Sequence, residues 1–181
     1  MLFVTVQART RCLMRNIELK ARLLDLEHGV EICEALGALA QGDIHQIDTY
    51  FGVERGRLKL READPGHTEL IYYERADTVG PKGCDYLLYP VDGGIKEFLG
   101  AALGIVAHVD KVRTLYLWKN VRIHLDRVAG LGDFIEFEAV LDGAHDDEDG
   151  QAKLDYLLAQ FGITAEQHVA CSYLDLSLNH D

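Results

Sequence analysis

A chain of 181 residues, 48% hydrophobic and 27% charged with 3 prolines, has the composition of one globular domain able to bury a sizeable core, not of a disordered or collagen-like polymer. Its formal net charge of -12 argues against a nucleic-acid-binding surface, which needs surplus Lys and Arg to neutralise phosphates, and no apolar run approaches the roughly 20 residues of a membrane span. Cys12, Cys33, Cys84 and Cys171 are scattered and form no C-x-x-C pair, so neither a zinc site nor a disulfide framework is expected, and a reducing cytoplasm is the expected compartment.

Residues 1–13 read as a dispensable extension before a single domain at 14–181. Arg9, Arg11 and Arg15 flank a second methionine, Met14, as an alternative start, and the apolar Leu2–Val6 precedes these arginines, the reverse of a signal peptide. Asn16–Leu23 then alternates, with Asn16, Glu18 and Lys20 on one face and Ile17, Leu19 and Ala21 on the other, as a half-buried strand does. Between Glu27 and Gln41 the apolar Val30, Cys33, Leu36 and Ala40 recur at helical spacing. Gln46–Phe51 reads as a short strand, and after the turn bracketed by Gly52 and Gly56 the cations Arg57, Lys59 and Arg61 face away from Leu58 and Leu60. Beyond the Pro65-Gly66 turn, Glu69–Arg75 forms a strand with Tyr73 and Arg75 on a shared side. Pro81–Gly83 is expected in a loop and Asp85–Val91 in a further strand.

A helix is expected over Ile95–Leu103, with Ile95, Phe98, Leu99 and Ala102 in one stripe, followed by a strand over His108–Leu117 that puts Lys111 and Arg113 together. Arg122–Asp126 and Phe134–Glu138 alternate on either side of Gly130-Leu-Gly132, the pattern of a β-hairpin. Arg122, His124 and Asp126 share a face, as do Glu136 and Glu138. The acidic run Asp146–Asp149 lacks the spacing of a calcium loop and suits the first turn of a helix over Gln151–Phe161, ended by Gly162. Thr164-x-x-Gln167 resembles a capping box, and Ser172–Ser177 reads as a last strand.

Strands without strict β-α alternation give an α+β fold with a mainly antiparallel sheet, open or closed. With the polar faces turned inward, the lining gathers Lys20, Lys59, Arg61, Arg75, Lys111, Arg113 and Arg122 with Glu18, Asp126, Glu136 and Glu138. Interior cations call for a bound polyanion, and the carboxylates suit Mg2+ or Mn2+, which share their coordination with phosphates. Among the neighbours, Arg57 is left between a solvated and a lining position. His124 is expected to be a satisfied structural donor, and Tyr50, Tyr73 and Tyr173 packing residues with bonded hydroxyls.

Ile17-Glu-Leu-Lys20, Gln46–Phe51, Leu58-Lys-Leu-Arg61, Lys111-Val-Arg113, Ile123-His-Leu-Asp126 with Gly130-Leu-Gly132, Glu136-Phe-Glu138 and Ser172-Tyr-Leu-Asp175 resemble, in order and spacing, the motifs of the CYTH superfamily of triphosphate tunnel metalloenzymes, above all its class IV adenylyl cyclase-like branch. The resemblance implies an eight-stranded antiparallel β-barrel with helices packed outside and a small-molecule triphosphate as substrate. It implies Glu18, Asp126, Glu136 and Glu138 as metal ligands for Mg2+ or Mn2+, and Lys20, Lys59, Arg61, Arg75, Lys111 and Arg113 as the phosphate-binding cations, to which Arg122 is added from the same inward face. Lys20 and Glu136 are then the catalytic pair. Asn16 departs from the pattern by replacing the first motif carboxylate. Hydrolysis of tripolyphosphate, thiamine triphosphate or a nucleoside triphosphate is the favoured activity, because no base-reading residue is identifiable; cyclisation of ATP and non-catalytic polyphosphate binding are the alternatives. No nucleic-acid or membrane partner is expected, and a homodimer is left open.

Overall fold

Polar and apolar side chains alternate through eight strands among the described residues, which in this computed structural model are 14–92 and 94–179. These are β1 (Met14–Arg22), β2 (Leu39–Phe51), β3 (Arg57–Ala63), β4 (His67–Arg75), β5 (Lys82–Pro90), β6 (Ile105–Trp118), β7 (Val121–Val128) and β8 (Gly132–Leu141). The segment 1–13, expected to be dispensable, lies outside the described residues. Every neighbouring pair is antiparallel, and the order β1-β5-β4-β3-β2-β6-β7-β8 closes because β1 pairs with both β5 and β8. Closure removes the unpaired edges that an open sheet would present.

The barrel is built inside out. Outward residues of β1, β7 and β8, including Leu19, Ile123, Leu125, Ile135 and Phe137, form the main hydrophobic core with helices α1 (Leu26–Ala35) and α3 (Asp147–Gln160). A Cβ at Gly150 would lie 3.1 Å from Leu141 and 3.2 Å from Ile17, so the glycine lets α3 approach the wall closely. Helix α2 spans Ile95–Leu103 as expected from its stripe, and no helix among the described residues is long and apolar enough to cross a membrane.

Two expected elements differ. The helix expected to reach Gln41 ends at Ala35: Gly37 takes a φ of 67°, its N–H donates to the Glu34 carbonyl at 2.9 Å, and the Ala38 N–H donates to that of Cys33 at 3.0 Å. This Schellman pattern needs a left-handed residue, which glycine supplies without strain, and it frees Leu39 onwards to join β2. Ser172–Ser177, expected as a strand, instead lies in the helix α4 (Tyr173–Leu178). The Asp175 carboxylate accepts from the Ser172 N–H at 2.8 Å, and the Ser172 hydroxyl accepts from the Asp175 N–H at 3.3 Å. That reciprocal cap satisfies two otherwise orphaned donors and outweighs an alternation too short to specify a strand. Lys82 and Gly83, expected in a loop, already pair with β1.

At one end of the barrel the inward positions become apolar, where Tyr50, Val109, Val128 and Phe134 cluster with Tyr173 of α4. The helix therefore stops that end. At the opposite end of β7, Arg122 keeps 37% of its side chain exposed. Leu154 of α3 is fully buried in the main core. Leu154→Ala is expected to lower the unfolding free energy by about 2–5 kcal/mol, read by urea denaturation.

Candidate active site

Cross-strand register places opposite charges face to face across the interior. Lys20 lies opposite Glu136, Arg122 opposite Glu138, Arg113 opposite Asp126, and Arg61 opposite Asp48. Such pairs stabilise a sheet and fix its register, since a one-residue slip would turn every charge outward. One cavity results, lined by Lys20, Lys59, Arg61, Arg75, Lys111, Arg113 and Arg122 together with Glu18, Glu136 and Glu138. All the expected site residues except Asp126 line it.

Asp126 stands behind the lining with no exposure. Arg113 grips it with two bonds of 2.6 Å, and the Tyr173 hydroxyl donates to it at 2.8 Å. Both oxygens are thus committed to protein donors, and the expected metal ligand is in this geometry the anchor of Arg113. Asp48, which the sequence reading passed over, does the same for the next pair: Lys59 reaches it at 2.8 Å and Arg61 at 2.8 and 2.9 Å. Its signal was the alternation of Gln46, Asp48 and Tyr50 on one face. Burial alone would push the Asp48 carboxyl up, but Arg61 and Lys59 hold it well below the usual range. Arg57 turns from the cavity to Asp77 at 2.6 Å and Asp175 at 2.9 Å, tying α4 to the barrel. Tyr173 also lies under Lys20, whose Nζ is 3.7 Å from the ring centroid.

Several buried polar atoms lack partners. Arg75 pairs with Glu18 through Nη1, yet its Nε and Nη2 donors have none, and Asn16 Oδ1 is likewise unbonded. His124, 4% exposed, presents an unpartnered Nδ1 at 3.7 Å from Glu136 and 3.6 Å from Glu138. These three residues are the group of potential metal ligands that converges among the described residues, with ligand atoms within 4.8 Å of one another. Glu18, grouped with the two glutamates by the resemblance, is instead held by Arg75. His124 was expected to be a satisfied donor and is not; its place opposite Glu136 across the hairpin was the available signal.

A family model described as the CYTH domain matches residues 14–173. Among solved structures, the PH1012 protein from Pyrococcus horikoshii OT3 is 27% identical with a TM-score of 0.78, covering 89% of this chain and 98% of that one. A candidate adenylate cyclase from Vibrio parahaemolyticus (18% identity, TM-score 0.72, coverage 92% and 98%) shares the fold. So does HpAC1 from Hippeastrum, an adenylyl cyclase candidate described with a dominant triphosphatase activity (17%, 0.63, 87% and 91%). No curated protein matches the chain in sequence.

Removing Asp126 strands a buried guanidinium, so Asp126→Asn is expected to cost about 3–5 kcal/mol in chemical denaturation. Burial, reinforced by Arg113, lowers the Lys111 ammonium to about 7. An anion favours its charged form and raises that value again. Tripolyphosphate binding near pH 8.5 is therefore expected to take up a proton that Lys111→Met does not, measured by calorimetry in buffers of different ionisation enthalpy.

Proposed function

The chain belongs to the CYTH domain family, and on that premise we propose that it is a divalent-metal-dependent enzyme that hydrolyses a triphosphate bound in the cation-lined cavity. The observation that carries this reading is Arg75, whose Nε and Nη2 are buried in that cavity without a partner. Unmade hydrogen bonds on a buried cation are costly, and a phosphate oxygen is the acceptor that a planar guanidinium fork fits best.

Charge accounting agrees. Seven lining cations are offset by Glu18, Glu69, Glu136 and Glu138 in the lining and by Asp48 and Asp126 behind it. The apo interior is thus close to neutral, and a divalent ion on the glutamates makes it an attractor for a polyanion. The donor set fits such an ion: Glu136 and Glu138 converge, with Glu18 opposite Glu138 in the β1–β8 register. When bound, Mg2+ or Mn2+ supplies neutralisation and polarisation of phosphoryl oxygens.

The protein's own groups do the holding. Lys59, Arg61, Lys111 and Arg113 are fixed by Asp48 and Asp126, so they meet the phosphates without reorganising. Arg75 would take an oxygen on its free edge, and Lys20, placed between Glu136 and the Tyr173 ring, would hold another. The wall formed by Ile71, Tyr73, Tyr86 and Leu88 suits an organic group beside the phosphates. Thiamine triphosphate and nucleoside triphosphates are therefore tested alongside tripolyphosphate.

The test is chromatographic resolution of products from those three substrates with Mg2+ or Mn2+. Inorganic phosphate is expected. Pyrophosphate with cyclic AMP would make the protein a cyclase, and tight binding without turnover would make it a binding module and implicate Asn16. Glu136→Gln is expected to abolish turnover yet melt cooperatively, at a smaller stability cost than Asp126→Asn, because Glu136 retains some exposure and Asp126 none.

A further inference from the structure

We propose that His124 is a metal ligand, completing with Glu136 and Glu138 a site that prefers a first-row transition ion to Mg2+. The inference rests on the reading that the cavity holds a divalent ion, and it adds a nitrogen donor that sets which one. Three observations support it. The Nδ1 atom is buried without a hydrogen-bond partner. It faces two carboxylates at 3.6 and 3.7 Å, too far to be hydrogen-bonded to either. Ligands held by bonds of about 2.1 Å at angles of about 110–120° lie about 3.4–3.6 Å apart, close to that spacing.

The surroundings leave room for an ion beside this nitrogen. Arg113 donates to the same Glu136 oxygen at 2.7 Å, and a carboxylate oxygen has a second lone pair to offer an ion. Arg122 takes the other Glu138 oxygen, at 3.4 Å, and leaves the one facing His124 open. With the proton on Nε2, the imidazole points a lone pair at two anions, an arrangement that is repulsive when empty and attractive around a cation. Imidazole suits Fe2+, Ni2+ and Zn2+, and Co2+ lies between Fe2+ and Ni2+ in the affinity order for such donors, whereas Mg2+ selects oxygen ligands and retains its waters.

The test is direct metal binding by the full chain without substrate. Co2+ and Mg2+ are titrated by calorimetry, with the visible absorption of Co2+ as a second readout, for wild type and His124→Gln. Tripolyphosphate binding in a chelator serves as a control for an intact cavity. The proposal expects wild type to bind Co2+ at least tenfold more tightly than Mg2+. It expects His124→Gln to lose about 10–100-fold in Co2+ affinity while Mg2+ and tripolyphosphate affinities hold. If the variant does not fold, electron spin-echo spectroscopy of Mn2+ in the wild type gives the answer, because a bound imidazole imposes nitrogen modulation. Unchanged Co2+ binding in the variant, or Mn2+ without that modulation, would overturn the assignment of His124 alone. Wild type binding neither ion would overturn the metal-dependent reading as well.

Discussion

Charged side chains held inside a barrel are the constraint on which the rest of this structure depends. Moving an ion from water into a protein interior costs several kcal/mol, recovered only through close pairing and complete hydrogen bonding. The register meets that demand by setting Arg113 against Asp126, Arg61 against Asp48 and Lys20 against Glu136. Because the interior is given over to these pairs, hydrophobic burial moves to the outer wall. There α1 and α3 cover β1, β7 and β8, and those strands are buried on both faces.

The same pairs divide the carboxylates into two kinds. Asp48 and Asp126 orient cations and stand behind the cavity lining, with no exposure. Glu136 and Glu138 sit nearer the cavity, where an ion can compete with Lys20, Arg113 and Arg122 for their oxygens. A cavity that holds its cations in place before the substrate arrives spends little on reorganisation, which is the usual source of electrostatic advantage in phosphoryl transfer. Helix α4 adds a stop at one end. Tyr173 bonds Asp126, and Asp175 bonds Arg57, so the helix is built into the charge network.

Much of this was legible in the sequence because a β-barrel writes its two faces with period two. The β7–β8 hairpin, the inward faces of β1 and β3, and the position in the cavity lining of ten of the eleven expected site residues could be read from alternation and motif order. Interactions that carry no period were missed. The capping box at Ser172 and Asp175 competes with a six-residue alternation, and a single glycine at 37 decides where α1 ends. Sequence also cannot show whether a carboxylate is already consumed by a neighbour. Asp126, expected at a metal, is held by Arg113 and Tyr173 behind the lining, while His124, read as satisfied, has an unpartnered buried Nδ1.

The central claim, that the barrel interior is a receptor for a metal-complexed triphosphate, is tested most directly by crystallography. Crystals grown with Mn2+ and tripolyphosphate give the anomalous signal of the metal together with the phosphate chain. The account predicts manganese beside Glu136 and Glu138 and phosphate oxygens on Arg75 Nε and Nη2, with Lys59, Arg61, Lys111 and Arg113 around the chain. An empty interior, or polyphosphate bound only to the outer surface, would contradict it.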